Sequence, residues 1–463
     1  MSRLIVVSNR VSLPREVRAG GLALALNSAL GERGGLWFGW SGQLGDAAEP
    51  ELRHVHSGGI DYALIDLSNE DYASYYQGYA NSTLWPLLHF RPDKVVLEQA
   101  NEEGYYRVNR LFARHLAALV DDDDIVWIHD YHLIPLAREL RVLGVNARLG
   151  FFLHVPVPPP ELLATLPNHQ QLFSALADYE LVGVQTEQDL QALRSYFERE
   201  FRARPVGTDL LRMDDGRQFM ARAFPIGIDS EMVARNADLA LSSKSHRRFV
   251  DSLQERALVI SVDRLDYSKG LTERFRAFGR FLDHHPEHHN RVSMMQIAPV
   301  SRGDVLEYQD LRERLEGLAG AVNGRHAEPD WNPIRYINRS FHQATLAGFY
   351  RAARVGLVTP LRDGMNLVAK EFVAAQSPDD PGMLVLSQFA GAARQLPEAL
   401  LINPHDCDAT AEAIHQALTM PLDERRQRWH AMNDRVRTST IGDWREDFID
   451  ALRSQNPRFA AVA

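Results

Sequence analysis

Arg264 and Lys269 stand close together in Asp263-Arg264-Leu265-Asp266-Tyr267-Ser268-Lys269-Gly270, directly after the aliphatic run Leu258-Val259-Ile260-Ser261-Val262. A guanidinium fork and a mobile ammonium at the carboxyl end of a buried strand can both reach a diphosphate and stabilise it as a leaving group. A second constellation lies in Thr359-Pro360-Leu361-Arg362-Asp363-Gly364-Met365-Asn366-Leu367-Val368-Ala369-Lys370-Glu371, where an apolar strand, a tight turn and a helix start follow one another. Such a helix aims its unpaired N–H groups and positive dipole end at whatever sits in front of Gly364, whose missing side chain admits a ligand to the backbone. Glu371, roughly two helical turns on, is expected to return to the face of Gly364 and accept hydrogen bonds from sugar or ribose hydroxyls. The combination points to a sugar nucleotide. The competing reading is an ordinary strand-to-helix loop N-capped by Asp363 or Asn366.

Other residues with useful chemistry also follow strands. Asn9 and Arg10 end the first apolar run, and Gly20-Gly21 then opens a helix whose backbone N–H groups can clamp a diphosphate. Asp130 follows Trp127-Ile128-His129, His154 follows Phe152-Leu153, and Arg302 follows Ala298-Pro299. The aromatic groups Trp37-Phe38-Gly39-Trp40 and Tyr75-Tyr76 to Trp85-Pro86 read first as core, and second as a wall suited to a sugar. His284-His285-Pro286-Glu287-His288-His289 is rich in ligating types, yet Pro286 breaks the helix that would align ligands four apart. A structural loop is expected there, and no metal. The Asp121–Asp124 run reads as a solvated turn. No Gly-x-Gly-x-x-Gly follows the first strand and no Gly-x-x-x-x-Gly-Lys-Ser/Thr occurs, which weighs against nicotinamide dinucleotides and the common nucleotide hydrolases. No cofactor is expected.

These residues need strands that end at a common edge. Aliphatic runs alternating with amphipathic segments predict an α/β protein with parallel sheets and crossover helices. The expected strands are 4–8, 125–128, 149–153, 181–185 and 219–224 in the first half, and 258–262, 292–298, 335–337, 355–359, 384–387 and 400–402 in the second. Helices are expected over 23–32, 133–143, 187–200 with Thr186 as N-cap, 271–284, 305–323 and about 441–452. The stretch from Gly207 to Gln218 reads as an exposed connection. At 463 residues, 45% of them hydrophobic, the chain predicts two doubly wound domains, 1–227 and 228–440, hinged near Pro225–Asp229. A net charge of −10 weighs against nucleic acid, and no apolar run reaches membrane-spanning length. The lone Cys407 excludes an internal disulfide, and with no leader-like amino end a cytoplasmic protein is expected.

At this point the chain resembles the trehalose-6-phosphate synthase family of nucleotide-sugar glycosyltransferases. The resemblance runs through Val7-Ser8-Asn9-Arg10, Gly20-Gly21-Leu22, Trp37-Phe38-Gly39-Trp40, Trp127-Ile128-His129-Asp130-Tyr131-His132, Val262 to Gly270, Ile297-Ala298-Pro299, Ser301-Arg302-Gly303 and Asp363 to Glu371. It implies two facing Rossmann-like domains, the GT-B fold, with residues 441–463 crossing back to the first. It implies transfer of glucose from a nucleoside diphosphate glucose, UDP-glucose foremost, to glucose 6-phosphate with retention, giving α,α-trehalose 6-phosphate. Arg264 and Lys269 would grip the donor diphosphate, Glu371 its ribose, and Phe341, Leu346 and Val368 its base. Gly20, Gly21 and the backbone of Gly364, Met365, Asn366 and Leu367 would close on the phosphates, with Asp363 and His154 on the transferred glucose. Arg10, Tyr76, Trp85, Asp130 and Arg302 would hold glucose 6-phosphate. A homo-oligomer without metal is implied, and the chain has no room for the phosphatase domain fused to some relatives. Val157 stands where the family usually has phenylalanine, in a proline-dense loop that puts fine substrate preference in question. A relative acting on glycerol phosphate or a cyclitol phosphate, and a non-catalytic sugar-phosphate-binding regulator, remain the alternatives.

Overall fold

The computed structural model describes residues 3–13, 26, 30, 34–46, 50–300 and 306–454. Gly20, Gly21, Arg302 and most of the expected helix 23–32 lie outside the described residues. Contacts divide the described chain into two units, one holding the residues up to Ile226 and those from Ile441, the other holding Gly227–Thr440.

The first unit is built on β1 (Leu4–Arg10), β2 (Gly35–Gly45), β3 (Arg53–Ser57), β4 (Ile60–Ser68), β5 (Ile125–His129), β6 (Arg148–Phe152), β7 (Leu181–Val184), β8 (Arg204–Val206), β9 (Leu210–Arg212) and β10 (Gln218–Ala223). Their order is β3-β4-β2-β1-β5-β6-β7-β10-β9-β8. The seven from β4 to β10 are parallel, while β3, β9 and β8 pair antiparallel at the two margins. The chain winds outward from β1 in one direction and from β5 in the other, so the strand order reverses between them. Ligands of open parallel sheets bind beyond the carboxyl ends at such a reversal.

The centre of this sheet is buried on both faces, and Ile5, Val6, Val7, Val126, Trp127 and Ile128 are inaccessible to solvent. Burial on two faces explains why these strands read as continuous apolar runs. Gly150 on β6 and Gly183 on β7 leave a groove, because a Cβ on either would come within 2.8 Å of the Phe448 ring. Phe448 lies on the Ile441–Arg453 helix and also stacks on Trp127, ring centroids 4.8 Å apart.

The second unit carries β11 (Ala257–Val262), β12 (Val292–Ile297), β13 (Ile334–Ile337), β14 (Val355–Val358), β15 (Met383–Ser387) and β16 (Leu400–Ile402), all parallel. Their order is β13-β12-β11-β14-β15-β16, so the reversal falls between β11 and β14. Those two strands lead into the Arg264–Lys269 and Asp363–Glu371 segments.

Some sequence expectations need correction. The aromatic run Trp37–Trp40 is core, and it is also a strand, β2. The Gly207–Gln218 stretch is largely exposed as expected, and it also carries a strand, β9, that pairs with β10 at the sheet margin. The helix expected over 133–143 starts at Leu136, because Pro135 caps it after a tight turn at Tyr131–Leu133. The helix expected over 305–323 spans Leu306–His326. Among the described residues, no helix is long and apolar enough to cross a membrane.

Candidate functional site

In the first unit, Arg10 closes β1 and Asp130 follows β5, on either side of the reversal. Asp130 has φ 77° and ψ 165°, a region that essentially only glycine visits freely, at a cost of order 1–3 kcal/mol. The contacts that hold it there include its N–H donating to Phe152 O at 2.8 Å and its Oδ1 accepting from His154 N at 3.3 Å. The Arg10 guanidinium lies over the Trp40 ring, 5.4 Å from its centroid. It also occupies the space above Gly42, where a Cβ would stand 2.2 Å from Arg10 Nη2. Trp40 meets Tyr76 at 5.6 Å, and Tyr76 stacks on His132 at 6.0 Å. His132 touches Tyr131, which packs on Trp85 at 5.7 Å. Arg10, Tyr76 and Trp85 are thus joined by one aromatic wall with a cation at its end, and Asp130 directly precedes Tyr131 of that wall.

His154 follows β6. Its Nε2 lies 3.1 Å from His129 Nδ1, and Gln185 Nε2 approaches its Nδ1 at 3.4 Å. Burial lowers His154 to about 3 and takes His129 well below the usual imidazole range. Both rings are neutral near pH 7, so His154 can exchange hydrogen bonds with a hydroxyl but brings no charge. Val157 in the proline-dense loop is buried, and its N–H donates to Asp189 Oδ1 at 3.0 Å, which anchors that loop to the N-terminus of the Glu187–Phe201 helix.

In the second unit, Lys269 Nζ contacts Asp363 Oδ2 at 2.5 Å, and Asn366 Nδ2 donates to the same oxygen at 3.0 Å. The two loops are laced by Leu361 N donating to Ser268 O at 2.7 Å. Gly270 has φ 63° and would place a Cβ 2.1 Å from Thr359 O, so only glycine lets the Lys269 turn approach β14. Gly391 meets Gly364 in the same way, with Gly364 O 1.9 Å from a built Cβ. Arg264 is exposed at the start of the same loop.

The helix after Gly364 begins at Leu367. Asn366 is its N-cap, with φ 74° and its Oδ1 accepting from Ala369 N at 3.3 Å. The expected two-turn relation between Gly364 and Glu371 therefore does not hold, since Gly364 precedes the helix and Glu371 lies one turn after Leu367. The residues still share the loop and first turns that follow β14. Glu371 sits beside the Tyr350 hydroxyl of the Gln343–Ala352 helix; burial pushes its carboxyl up to about 7, and Tyr350 pulls the other way. Burial likewise pushes the neighbouring Lys370 down to about 7. Leu346 lies on the Gln343–Ala352 helix and Val368 on the Leu367–Ala375 helix, and these two helices pack on each other. Phe341 is joined to them through Phe349 at 5.3 Å.

Sequence reasoning missed Arg274. Its side chain is fully buried beneath the Lys269 loop, donating to Asp263 Oδ2 at 2.8 Å, Gln296 Oε1 at 2.7 Å, Thr359 Oγ1 at 2.9 Å and Lys269 O at 3.2 Å. One guanidinium thereby ties the ends of β11, β12 and β14 to the turn that carries Lys269. His132 and Arg339, whose guanidinium covers the Phe341 ring at 4.7 Å, were also missed. His132 stood inside a quoted motif; nothing in its neighbourhood in sequence marks Arg339.

Comparison with known proteins gives this geometry its context. The family described as glycosyltransferase family 20 matches residues 5–454. A trehalose-6-phosphate synthase of Sinorhizobium fredii is 48% identical over 463 residues, covering 99% of this chain and all of that protein. A UDP-forming α,α-trehalose-phosphate synthase from Burkholderia xenovorans, solved in complex with glucose-6-phosphate, superposes with a TM-score of 0.95 at 47% identity, covering 98% of this chain and 100% of that one. A structure from E. coli bound with UDP-2-fluoro glucose superposes with a TM-score of 0.94 at 46% identity, covering 99% and 100%. The two Rossmann-like units are those of a GT-B glycosyltransferase, and the chain belongs to glycosyltransferase family 20.

Proposed function

We propose that this glycosyltransferase moves glucose from UDP-glucose to the anomeric oxygen of glucose 6-phosphate, with retention, giving α,α-trehalose 6-phosphate and UDP. The observation that carries this reading is the Lys269–Asp363 pair at the reversal between β11 and β14, a preorganised cation beside a capped helix start. The names of the relatives, and the glucose-6-phosphate and UDP-2-fluoro glucose bound in two of the similar structures, support the choice of substrates.

In this reading the second unit holds the donor. Arg264 and Lys269 take the diphosphate, the backbone of Gly364, Met365, Asn366 and Leu367 approaches the phosphates, Glu371 accepts from the ribose, and Phe341, Leu346 and Val368 flank the base. The first unit holds the acceptor through Arg10, Tyr76, Trp85 and Asp130, with Arg302 of the second as a further phosphate ligand and Gly20-Gly21 on the donor phosphates. Charge-assisted contacts of this kind contribute about 1.5–3 kcal/mol each. Retention through a covalent intermediate needs an available carboxylate nucleophile. Asp363 is engaged by both Lys269 and Asn366, and His154 is better suited to orient a glucose hydroxyl than to attack. Front-face displacement fits these residues: the C1–O bond to the diphosphate breaks, the departing oxygen takes the acceptor's anomeric proton, and the new glycosidic bond forms on the same face.

A panel of nucleoside diphosphate glucoses with glucose 6-phosphate tests the reading. UDP release matched by a phosphorylated non-reducing disaccharide, with both anomeric centres α by NMR coupling, is the expected result. Turnover only with glycerol phosphate or a cyclitol phosphate, or no turnover at all, would overturn it.

A further inference from the structure

We propose that His285, Glu287 and His415 form a binding site for a zinc-like divalent transition metal at the end of the Leu271–His284 helix remote from Lys269. The sequence hid this arrangement because its third member is distant: Pro286 breaks the helix as expected, and the resulting turn at Pro286–His288 brings the loop against the Cys407–Thr419 helix. One ligating atom from each of His285, Glu287 and His415 lies within 4.8 Å of the others, and among the described residues no other group of His, Cys, Asp and Glu does this.

The spacing suits one small ion. Metal–donor bonds of about 2.0–2.2 Å in a tetrahedron place neighbouring donors about 3.3–3.6 Å apart. His285 Nδ1 is 3.4 Å from Glu287 Oε1, and His415 Nδ1 is 3.8 Å from the same oxygen. A fourth donor atom, His288 Nε2, lies 3.0 Å from His415 Nδ1. Behind the set, Glu412 Oε2 lies 3.2 Å from His285 Nε2, so a carboxylate orients the imidazole from its far side and leaves Nδ1 for the ion. The His285 and His415 rings stack at 3.9 Å, 8° from parallel. One ring must turn edge-on to a shared ion by rotation about χ2, a broad torsion in histidine; His285 keeps its Glu412 contact and His415 is the ring that turns. Two imidazoles and a carboxylate select zinc, nickel or copper over magnesium and calcium.

The site lies at the opposite end of a helix about 20 Å long from Gly270. An ion there would join that helix to the Cys407–Thr419 helix without touching the reaction. It acts on the stability of the second unit, by mass action on the folded state.

The test uses the full chain without an affinity tag, stripped with chelator. One equivalent of Co2+ is expected to give the visible absorption of a tetrahedral nitrogen and oxygen site, bleached on adding Zn2+, and Zn2+ is expected to raise Tm by several degrees. His415→Ala and His285→Ala should each lose at least tenfold in Co2+ affinity and most of the Tm shift, with kcat unchanged; His415→Gln, which keeps the packing volume, substitutes if the alanine variant does not fold. Absence of both the Co2+ spectrum and the Tm shift in the unsubstituted chain, or equal affinity in the variants, would overturn the proposal.

Discussion

In the proposed reaction, the 2.5 Å contact between Lys269 Nζ and Asp363 Oδ2 would fix the ammonium in advance, so that little reorganisation is needed as charge grows on the departing diphosphate. Lys269→Ala is expected to lower kcat by about 10²–10³ with a smaller change in donor KM; steady-state kinetics showing near-normal kcat would remove Lys269 from that role. Glu371 makes a pH-dependent case. In the proposed role of accepting from both hydroxyls of a ribose diol the ionised carboxylate binds best, so with its carboxyl pushed up to about 7 donor affinity is expected to fall as pH drops through that value. Stability runs the other way. The folded chain keeps a proton that the unfolded chain releases from 4.5 upward, so stability falls as pH rises from 4.5 to about 7. Glu371→Gln should therefore raise unfolding stability by about 1–3 kcal/mol above neutrality, while increasing donor KM and flattening its pH dependence. Urea unfolding and donor KM measured on both sides of neutrality check the two halves. A variant that keeps the parent's pH dependence would show that another group titrates.

At the scale of elements, the loop after β11 owes its shape to what lies under it. Arg274 is buried with Asp263, and breaking such a pair from one side costs about 3–5 kcal/mol because the partner charge is left uncompensated. Arg274→Met should show that loss in urea unfolding and also lower kcat, since Lys269 O loses a donor. Adding Asp263→Asn should recover much of the stability but not the turnover, which separates positioning from folding; equal recovery of both would reduce Arg274 to a structural residue. This hub was illegible in the sequence, where Arg274 stands among Glu273, Phe275 and Arg276 on an amphipathic helix and reads as a solvated charge. Its partners Gln296 and Thr359 come from other strands. By contrast all six strands of the second sheet were legible, the four central ones because parallel strands covered on both faces are near-continuous apolar runs. The first sheet yielded only its central strands and β10. β3 reads Arg53-His54-Val55-His56-Ser57, largely polar on an edge, and β2 was masked by its aromatic content. A strand end and a glycine marked both the Lys269 loop and the Asp363–Asn366 loop, but as two constellations that only the resemblance joined; their contact is seen in the structure. The face shared by Gly364 and Glu371 could not be read, because the Asn366 cap delays the helix to Leu367.

For the whole molecule, the order of the chain matters as much as its folds. It leaves the first unit at Ile226 and returns at Ile441, so the second unit is an insertion in the first, and the first is complete only when its last helix is in place. Gly227 shows how exit and return are held side by side, since a Cβ there would stand 2.1 Å from Ser439 O. The returning helix inserts Phe448 between Gly150 and Gly183, against Trp127, Phe152 and Phe224, and Trp444 from the same helix packs on Phe152 and near His154. Truncating Phe448 opens a cavity that two glycines cannot fill, with an expected cost of about 3–5 kcal/mol. Because the lost contacts belong to the first unit, amides of β5, β6 and β7 should exchange faster in Phe448→Ala, while those of β11, β12 and β14 keep their protection. In the proposed reading acceptor KM should rise, as the acceptor residue Asp130 follows β5, one of the strands that loosen. Hydrogen exchange resolved by peptide, read with the two KM values, decides the matter: uniform loss of protection across both sheets would mean that the units unfold as one, and the insertion would then have no consequence of its own for stability.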